Sequence, residues 1–470
     1  MQRSSYPFLL VVAGACASAG ARPASAPAPA QRAQAAESSS ALRPQYVSTY
    51  RRHPNPAVVI RHATIMTATG QEIADGAILL KEGRIVAVGA KVDAPADAVV
   101  VDATGKYVTP GLIDIHSHLG VYAAPGTFGE DDGNEATNPV TAEVWAEHSF
   151  WPQDPQIPLA IAGGITTIEA LPGSANLIGG RSAILKLIPA RTVQDMKFPG
   201  ARYGLKMACG ENPKRVYHSR GPSTRMGNMA GYREAFSQAE GYRRRWDKWN
   251  RDHQGDPPER NLRLETLAEV LRGDVYVQTH CYRADEMAQM LDLAREFGFK
   301  IRAFHHAVEA YKIRDLLAQA GTGAAVWADW WGFKEEAMDG IKENAALLEQ
   351  AGVRLNIHSD SPSGIQRLNQ EAAKAMDAGI RAGIPITRDQ ALRWITANPA
   401  WLLGLDSIVG TLEPGKMADV VVWSGDPFSV YAKAVQVYND GWLVYDRGAA
   451  GRQPRTDFEL GQVPTPGEDR

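Results

Sequence analysis

Gly111-Leu-Ile-Asp-Ile-His-Ser-His118 runs from a short apolar strand straight into two histidines. Side chains two apart on a strand point to the same side, so His116 and His118 share a face. Alone, such a pair fits a surface or core position as well as a metal. The runs downstream decide the matter. Ile165-Thr-Thr-Ile-Glu, Ala183-Ile-Leu-Lys-Leu-Ile, Tyr203-Gly-Leu-Lys-Met-Ala, Val275-Tyr-Val-Gln-Thr, Ile301-Arg-Ala-Phe, Gly323-Ala-Ala-Val-Trp and Val353-Arg-Leu-Asn-Ile are further strand candidates, which makes eight. Helical patterns lie between them. Met287, Met290, Leu291 and Ala294 fall at i, i+3, i+4 and i+7, which predicts a helix over 284–297 with Gly298 as its stop. Strands alternating with helices over about 290 residues, 111 to 404, predict an α/β fold, a (β/α)8 TIM-like barrel.

Both flanks read as β. Residues 57–110 hold Ala57-Val-Val-Ile, Gly76-Ala-Ile-Leu-Leu, Arg84-Ile-Val-Ala-Val and Ala98-Val-Val-Val. Residues 405–450 hold Val409-Gly-Thr-Leu, Asp419-Val-Val-Val-Trp, Val435-Gln-Val-Tyr and Trp442-Leu-Val-Tyr. Together they predict one small β-sandwich domain built from both ends. The charged stretch 231–272 reads as a solvated helical insertion, and 451–470 as a loose tail. At the start, a cationic Met1-Gln2-Arg3, an apolar Tyr6-Pro-Phe-Leu-Leu-Val-Val-Ala13 and small-residue cleavage patterns read as a signal peptide over 1–26. An Ala/Pro-rich linker follows over 27–56. The chain is therefore expected to be exported, periplasmic or secreted. Cys16 allows a lipid anchor, although Ala13-Gly14-Ala15 before it fits that motif poorly.

The chain has 470 residues, 44% hydrophobic and 22% charged, with 50 Lys and Arg against 53 Asp and Glu. This is globular composition, and the balanced charge argues against a nucleic-acid partner. No stretch past the leader is long and apolar enough to span a bilayer. Three cysteines cannot make a disulfide framework. Cys209 and Cys281 read as buried thiols or as one bridge.

In an α/β barrel the site forms where strands end. The first strand ends at His116 and His118, the fifth at His280, the sixth at His305-His306 and the eighth at His358-Ser-Asp360. Four strand ends thus offer His, His, His and Asp at equivalent heights, which predicts a metal site. Eleven histidines scattered over the chain would seldom fall this way.

These stretches resemble the metal-dependent amidohydrolase superfamily, in particular its imidazolonepropionase-like and prolidase-like secreted branch. The resemblance is carried by Gly111–His118, Leu171-Pro-Gly-Ser-Ala-Asn-Leu-Ile-Gly-Gly-Arg181, Lys206-Met-Ala-Cys-Gly-Glu-Asn-Pro-Lys-Arg215 and Thr279-His280. It continues through His306-Ala-Val-Glu, His358-Ser-Asp-Ser, Ala397-Asn-Pro-Ala and Gly410-Thr-Leu-Glu-Pro-Gly-Lys-Met-Ala-Asp419. It implies that His116, His118 and Asp360 hold one divalent metal and that His280 and His306 hold a second. It also implies a bridging ligand at the fourth strand. Lys206, carboxylated on its amine, and Glu211 are the two candidates. Lys206 is preferred because it lies in phase with Gly204 and Ala208 inside the strand. The ligand set suits zinc, with other divalents open. The implied reaction is hydrolysis of a non-aromatic C–N bond by a metal-activated hydroxide, with Asp360 as catalytic base. Implied substrates are a dipeptide, an N-acyl amino acid or a cyclic amide. A mononuclear deaminase and a non-catalytic metal-binding envelope protein are the alternatives, and a homo-oligomer is left open.

Softer features surround this set. Arg215, Tyr217, Arg220 and Arg225, after the fourth strand, read as substrate-binding or as a solvated basic loop. Glu130, Asp131, Asp132 and Glu135 read as a receptor for a substrate ammonium or as a solvated acidic run. Trp327, Trp330 and Trp331 read as a pocket wall or as core.

Overall fold

Apolar runs with no alternation belong to strands covered on both faces, and the central strands of this protein follow that rule. The computed structural model describes residues 46–452 and Pro454. The leader over 1–26 with Cys16, most of the 27–56 linker and nearly all of the 451–470 tail lie outside the described residues. In chain order the strands are β1 (Val58–Met66), β2 (Glu72–Lys81), β3 (Arg84–Gly89), β4 (Val99–Asp102), β5 (Tyr107–Pro110), β6 (Leu112–Ser117), β7 (Ile165–Ala170), β8 (Ile178–Arg181) and β9 (Ala183–Lys186). They continue with β10 (Gly204–Ala208), β11 (Tyr276–Cys281), β12 (Ile301–His306), β13 (Gly323–Val326), β14 (Leu355–Ile357), β15 (Val420–Trp423), β16 (Ala434–Asn439) and β17 (Trp442–Asp446). Every residue of β6, β7 and β10 is buried.

The strands β10 to β14 form a parallel run, and β6 pairs parallel with β7. The third expected strand departs from the parallel pattern. The stretch β8–β9 runs antiparallel to its neighbours, β8 against β10 and β9 against β7. A parallel crossover needs a dozen or more residues, usually with a helix, and only the short segment Leu171–Leu177 separates β7 from β8. The chain therefore turns back. Between β6 and the end of β14, Asp360 N donates to the His116 carbonyl at 3.1 Å. The expected closed barrel is thus laid out as a six-stranded and a three-stranded sheet.

Both flanks do build one unit, as strands β5 and β15 pair antiparallel. It is a single eight-stranded sheet in the order β17-β16-β15-β5-β1-β2-β3, with β4 on β1, where a sandwich was expected. Ile60, Ile65, Ile78, Leu80, Val108, Val420 and Val422 form its core. The predicted amphipathic helix spans Ala284–Phe297, buries Met287, Met290, Leu291 and Ala294, and stops at Gly298, whose φ is 72°. The charged insertion is a long helix, Arg225–Asp252, capped by Thr224, and a second, Leu262–Arg272, capped by Asn261. Among the described residues no helix is long and apolar enough to cross a membrane.

A buried ion cluster pins the central strands to the flanking sheet. Lys186 of β9 lies 3.2 Å from Asp419 and 3.0 Å from Asp440, and Tyr50 donates its hydroxyl to Asp440. Removing one partner of a buried ion cluster strands the others without compensation. Lys186→Met is expected to lower unfolding stability by about 3–5 kcal/mol, read by urea denaturation. A loss below 1 kcal/mol would show that the two carboxylates accommodate without the ammonium.

Candidate metal centre

The register of the parallel strands brings the histidines to one level. β11 pairs His280 with His305, and Cys281 with His306. β12 pairs His306 with Val326, and β13 pairs Val326 with Ile357, directly before His358. At the other edge, Asp114 of β6 accepts from His116 N at 3.0 Å and from the Ser359 amide and hydroxyl. That carboxyl, pushed up to about 7 by burial, ties β6 to the segment carrying Asp360.

Asp360 Oδ1 lies 3.2 Å from His118 Nε2 and 3.5 Å from His116 Nε2, and Oδ2 lies 3.9 Å from His306 Nδ1. His118 Nδ1 donates to the Leu171 carbonyl at 2.9 Å. That bond leaves the His118 Nε2 lone pair facing Asp360, the tautomer a metal requires. Two groups of potential ligand atoms, each lying within 4.8 Å of one another, share His116: His116, His118 and Asp360, and His116, His306 and His358. His280 adjoins them, with its ring 4.5 Å from that of His306. Two members of the centre, His306 (φ 68°) and Asp360 (φ 50°), hold left-handed backbone conformations that non-glycine residues seldom adopt. Such strain concentrates at functional sites.

The donor set fits divalent metal. Both ring nitrogens of His280 and of His358, and Nδ1 of His306, are buried without a hydrogen-bond partner. Buried polar atoms of this kind are costly unless something binds them. Burial holds His116, His280 and His306 well below the usual imidazole range, and His358 at about 3. They are neutral, which is the form that ligates.

Lys206 is fully buried and directs Nζ to His116 Nε2 at 3.3 Å. Glu211 stands apart, at the start of the helix Glu211–Val216, paired to Lys334 at 3.2 Å. His358 is a member of the cluster that sequence reasoning left out, although it sits two residues before Asp360, the same spacing that marks His116 and His118. The four residues after the fourth strand scatter. Tyr217 is buried, with its hydroxyl donating to the Asn138 carbonyl at 2.9 Å. Arg220 donates to the Thr137 and Ala136 carbonyls. Arg225 pairs with Glu286 at 2.9 Å and with Glu336. Arg215 is exposed. In the acidic run Asp131 and Asp132 are exposed, and Asp131 bridges to Tyr122, whose ring edges onto His118. Trp327 stacks on His306 at 4.3 Å, and Trp330 stacks on Trp327 at 4.8 Å, while Trp331 is exposed. The first two extend an aromatic wall outward from the centre.

Cys209 and Cys281 form a disulfide, with Cα atoms 5.2 Å apart. It is set by the register, which pairs Ala208 with His280 and so brings the next residues together. A bridge across 72 residues restricts the unfolded chain. The Cys209→Ser, Cys281→Ser double variant is expected to lose about 2–4 kcal/mol in guanidinium unfolding. An unchanged midpoint would remove the bridge from the stability of this fold.

A family model described as amidohydrolase family matches residues 272–445. Amidohydrolase tasK of Hapsidospora irregularis is 37% identical over 420 residues, covering 83% of this chain and 42% of that protein. The chain thus spans less than half the length of that relative. The imidazolonepropionase of Geobacillus kaustophilus is 26% identical over 401 residues, covering 75% of this chain and 84% of that one. The crystal structure of an amidohydrolase from Thermotoga maritima superposes with a TM-score of 0.78 at 36% identity, covering 83% of this chain and all (100%) of that one.

Proposed function

Because the chain belongs to the metal-dependent amidohydrolase superfamily, we propose that this hydrolase of carbon–nitrogen bonds cleaves an amide in a small substrate at a pair of divalent cations. The substrate classes are a dipeptide, an N-acyl amino acid or a cyclic amide. The observation that carries the reading is the pair of ligand groups sharing His116, with Asp360 at their edge and five orphaned imidazole nitrogens around them. His116, His118 and Asp360 would hold one ion. His306, with His280 or His358, would hold the other. Imidazole and carboxylate suit zinc. Carboxylated Lys206 would bridge, which its burial beside His116 supports. Bound ions of this kind acidify water and polarise a carbonyl. Asp360 accepts the proton of the attacking water and returns it to the leaving nitrogen. Tyr122 and the Trp327–Trp330 wall bound the approach. In this reading the two sheets close as one barrel, for which the Asp360–His116 bond speaks. Export is part of the proposal too, since disulfides persist in oxidising compartments and the Cys209–Cys281 bridge suits one.

The test is a product screen by mass spectrometry. The zinc-loaded protein meets dipeptides, N-acyl amino acids, cyclic amides and amino-substituted heterocycles. Cleavage of an amide that vanishes in Asp360→Asn is expected. Ammonia released from the heterocycles alone would replace the reading with deamination. Bound metal with no turnover on any class would favour a non-catalytic protein.

A further inference from the structure

A chain of three buried side chains lies behind the candidate centre. Gln278 and His305 are each shielded from solvent and absent from both ligand groups. Gln278 Oε1 lies 2.8 Å from His305 Nε2, and His305 Nδ1 lies 2.8 Å from His116 Nδ1. His116 Nε2 then faces Lys206 Nζ at 3.3 Å and Asp360 Oδ1 at 3.5 Å.

The protons on this chain can be counted. The amide oxygen only accepts, so His305 Nε2 carries its hydrogen. A neutral imidazole has one N–H, so His305 Nδ1 keeps a lone pair. Between two facing Nδ1 atoms one must donate, and His116 Nδ1 is the one left to do so. Its own Nε2 is then bare. The far end agrees independently. In its ammonium form Lys206 has donors and no acceptor, so its contact with His116 Nε2 then places a lone pair there.

We propose that Gln278 and His305 are positioning residues, a relay in which one amide oxygen sets the tautomer of His305 and through it turns the His116 Nε2 lone pair toward the centre. Ligating histidines are commonly oriented by a partner on the other nitrogen. Here the partner is a second histidine, oriented in turn by Gln278. The register places that glutamine beside Lys206 on β10. The proposal rests on His116 as a metal ligand.

The experiment uses the full chain labelled with 15N at histidine, first without metal. Long-range 15N spectra are expected to report His305 as the Nε2–H tautomer and His116 as the Nδ1–H tautomer. His305 as Nδ1–H would overturn the relay, whatever the protein does with metal. Zinc affinity is then read by competition against a chromophoric chelator in wild type, Gln278→Leu and Gln278→Glu. The leucine variant is expected to bind about 10–100-fold more weakly. The glutamate variant, which still presents an acceptor, is expected to recover most of that loss. Equal affinity in the leucine variant would overturn the proposal. Should the leucine variant not fold, the wild-type spectrum and the glutamate variant still decide. A wild type that binds no zinc would sink the metal reading of the site, and the tautomer spectrum would then judge the relay alone.

Discussion

Asp360→Asn is expected to retain most of its metal and to lose about 10²–10⁴-fold in kcat. The geometry gives this residue a double position. One oxygen reaches His118 and His116, and the other faces His306. Burial pushes the carboxyl up, but its contact with His118 and the Lys206 ammonium outweigh it, so it sits below its ordinary value. It is therefore ionised at neutral pH and free to take a proton. Asparagine keeps the shape and one carbonyl oxygen toward the histidines, so a ligand atom survives. It cannot store a proton and hand it to a leaving nitrogen. The measurements are kcat on the substrate found by the product screen and metal content by elemental analysis of the same sample. A variant with full metal and near-wild-type kcat would remove Asp360 from the base role. A variant with no metal would make it a ligand first.

The elements that carry this site were legible because their pattern is strong. β6, β10, β11 and β12 appear in the sequence as short runs with an apolar backbone pattern and polar residues toward their ends, and the helix Ala284–Phe297 carries its period and its glycine stop. His116, His118, His280 and His306 sit at strand ends, where a parallel α/β sheet concentrates polar groups. Direction was another matter. An apolar run has no polarity, so Ala183–Lys186 reads the same whether it runs parallel or antiparallel, and only the short segment before β8 held the clue. The division into a six-stranded and a three-stranded sheet and the pairing of Cys209 with Cys281 depend on register between strands far apart in sequence, which no local pattern encodes. The arginines show the same limit. Arg225 looks free in a basic loop, yet Glu286 and Glu336, distant in the chain, claim it. Tyr217 looks like a loop aromatic and is in fact buried against Asn138. Lys206 and Glu211 were separable in kind but not in place. Strand phase pointed one inward, while the ion pair holding the other to Lys334 is a tertiary fact.

Lys206→Ala is expected to lower zinc affinity at least 10–100-fold, the range seen when a partner of a metal site is lost, with partial recovery in bicarbonate plus a short carboxylic acid. An ammonium amid His116 and its neighbours offers donors to groups that themselves need a cation, and so works against metal. Burial pushes Lys206 down to about 8, with Asp360 and Glu169 opposing that shift. An appreciable share of the side chain is then free amine near neutral pH. The free amine attacks carbon dioxide, forming the N–C bond and releasing one proton, and the resulting carbamate brings two oxygens where the ammonium had none. The alanine variant leaves a space beside His116 Nε2 that a small carboxylate can enter, which is why an added acid should rescue it. Native mass spectrometry of the wild type gives a second readout, the carboxyl adduct itself. Full zinc occupancy in Lys206→Ala would transfer the bridge to Glu211, which would then have to leave Lys334 on metal binding. Lys334→Met would separate these outcomes. Releasing Glu211 should tighten zinc if Glu211 is the bridge, and should leave affinity unchanged if Lys206 is.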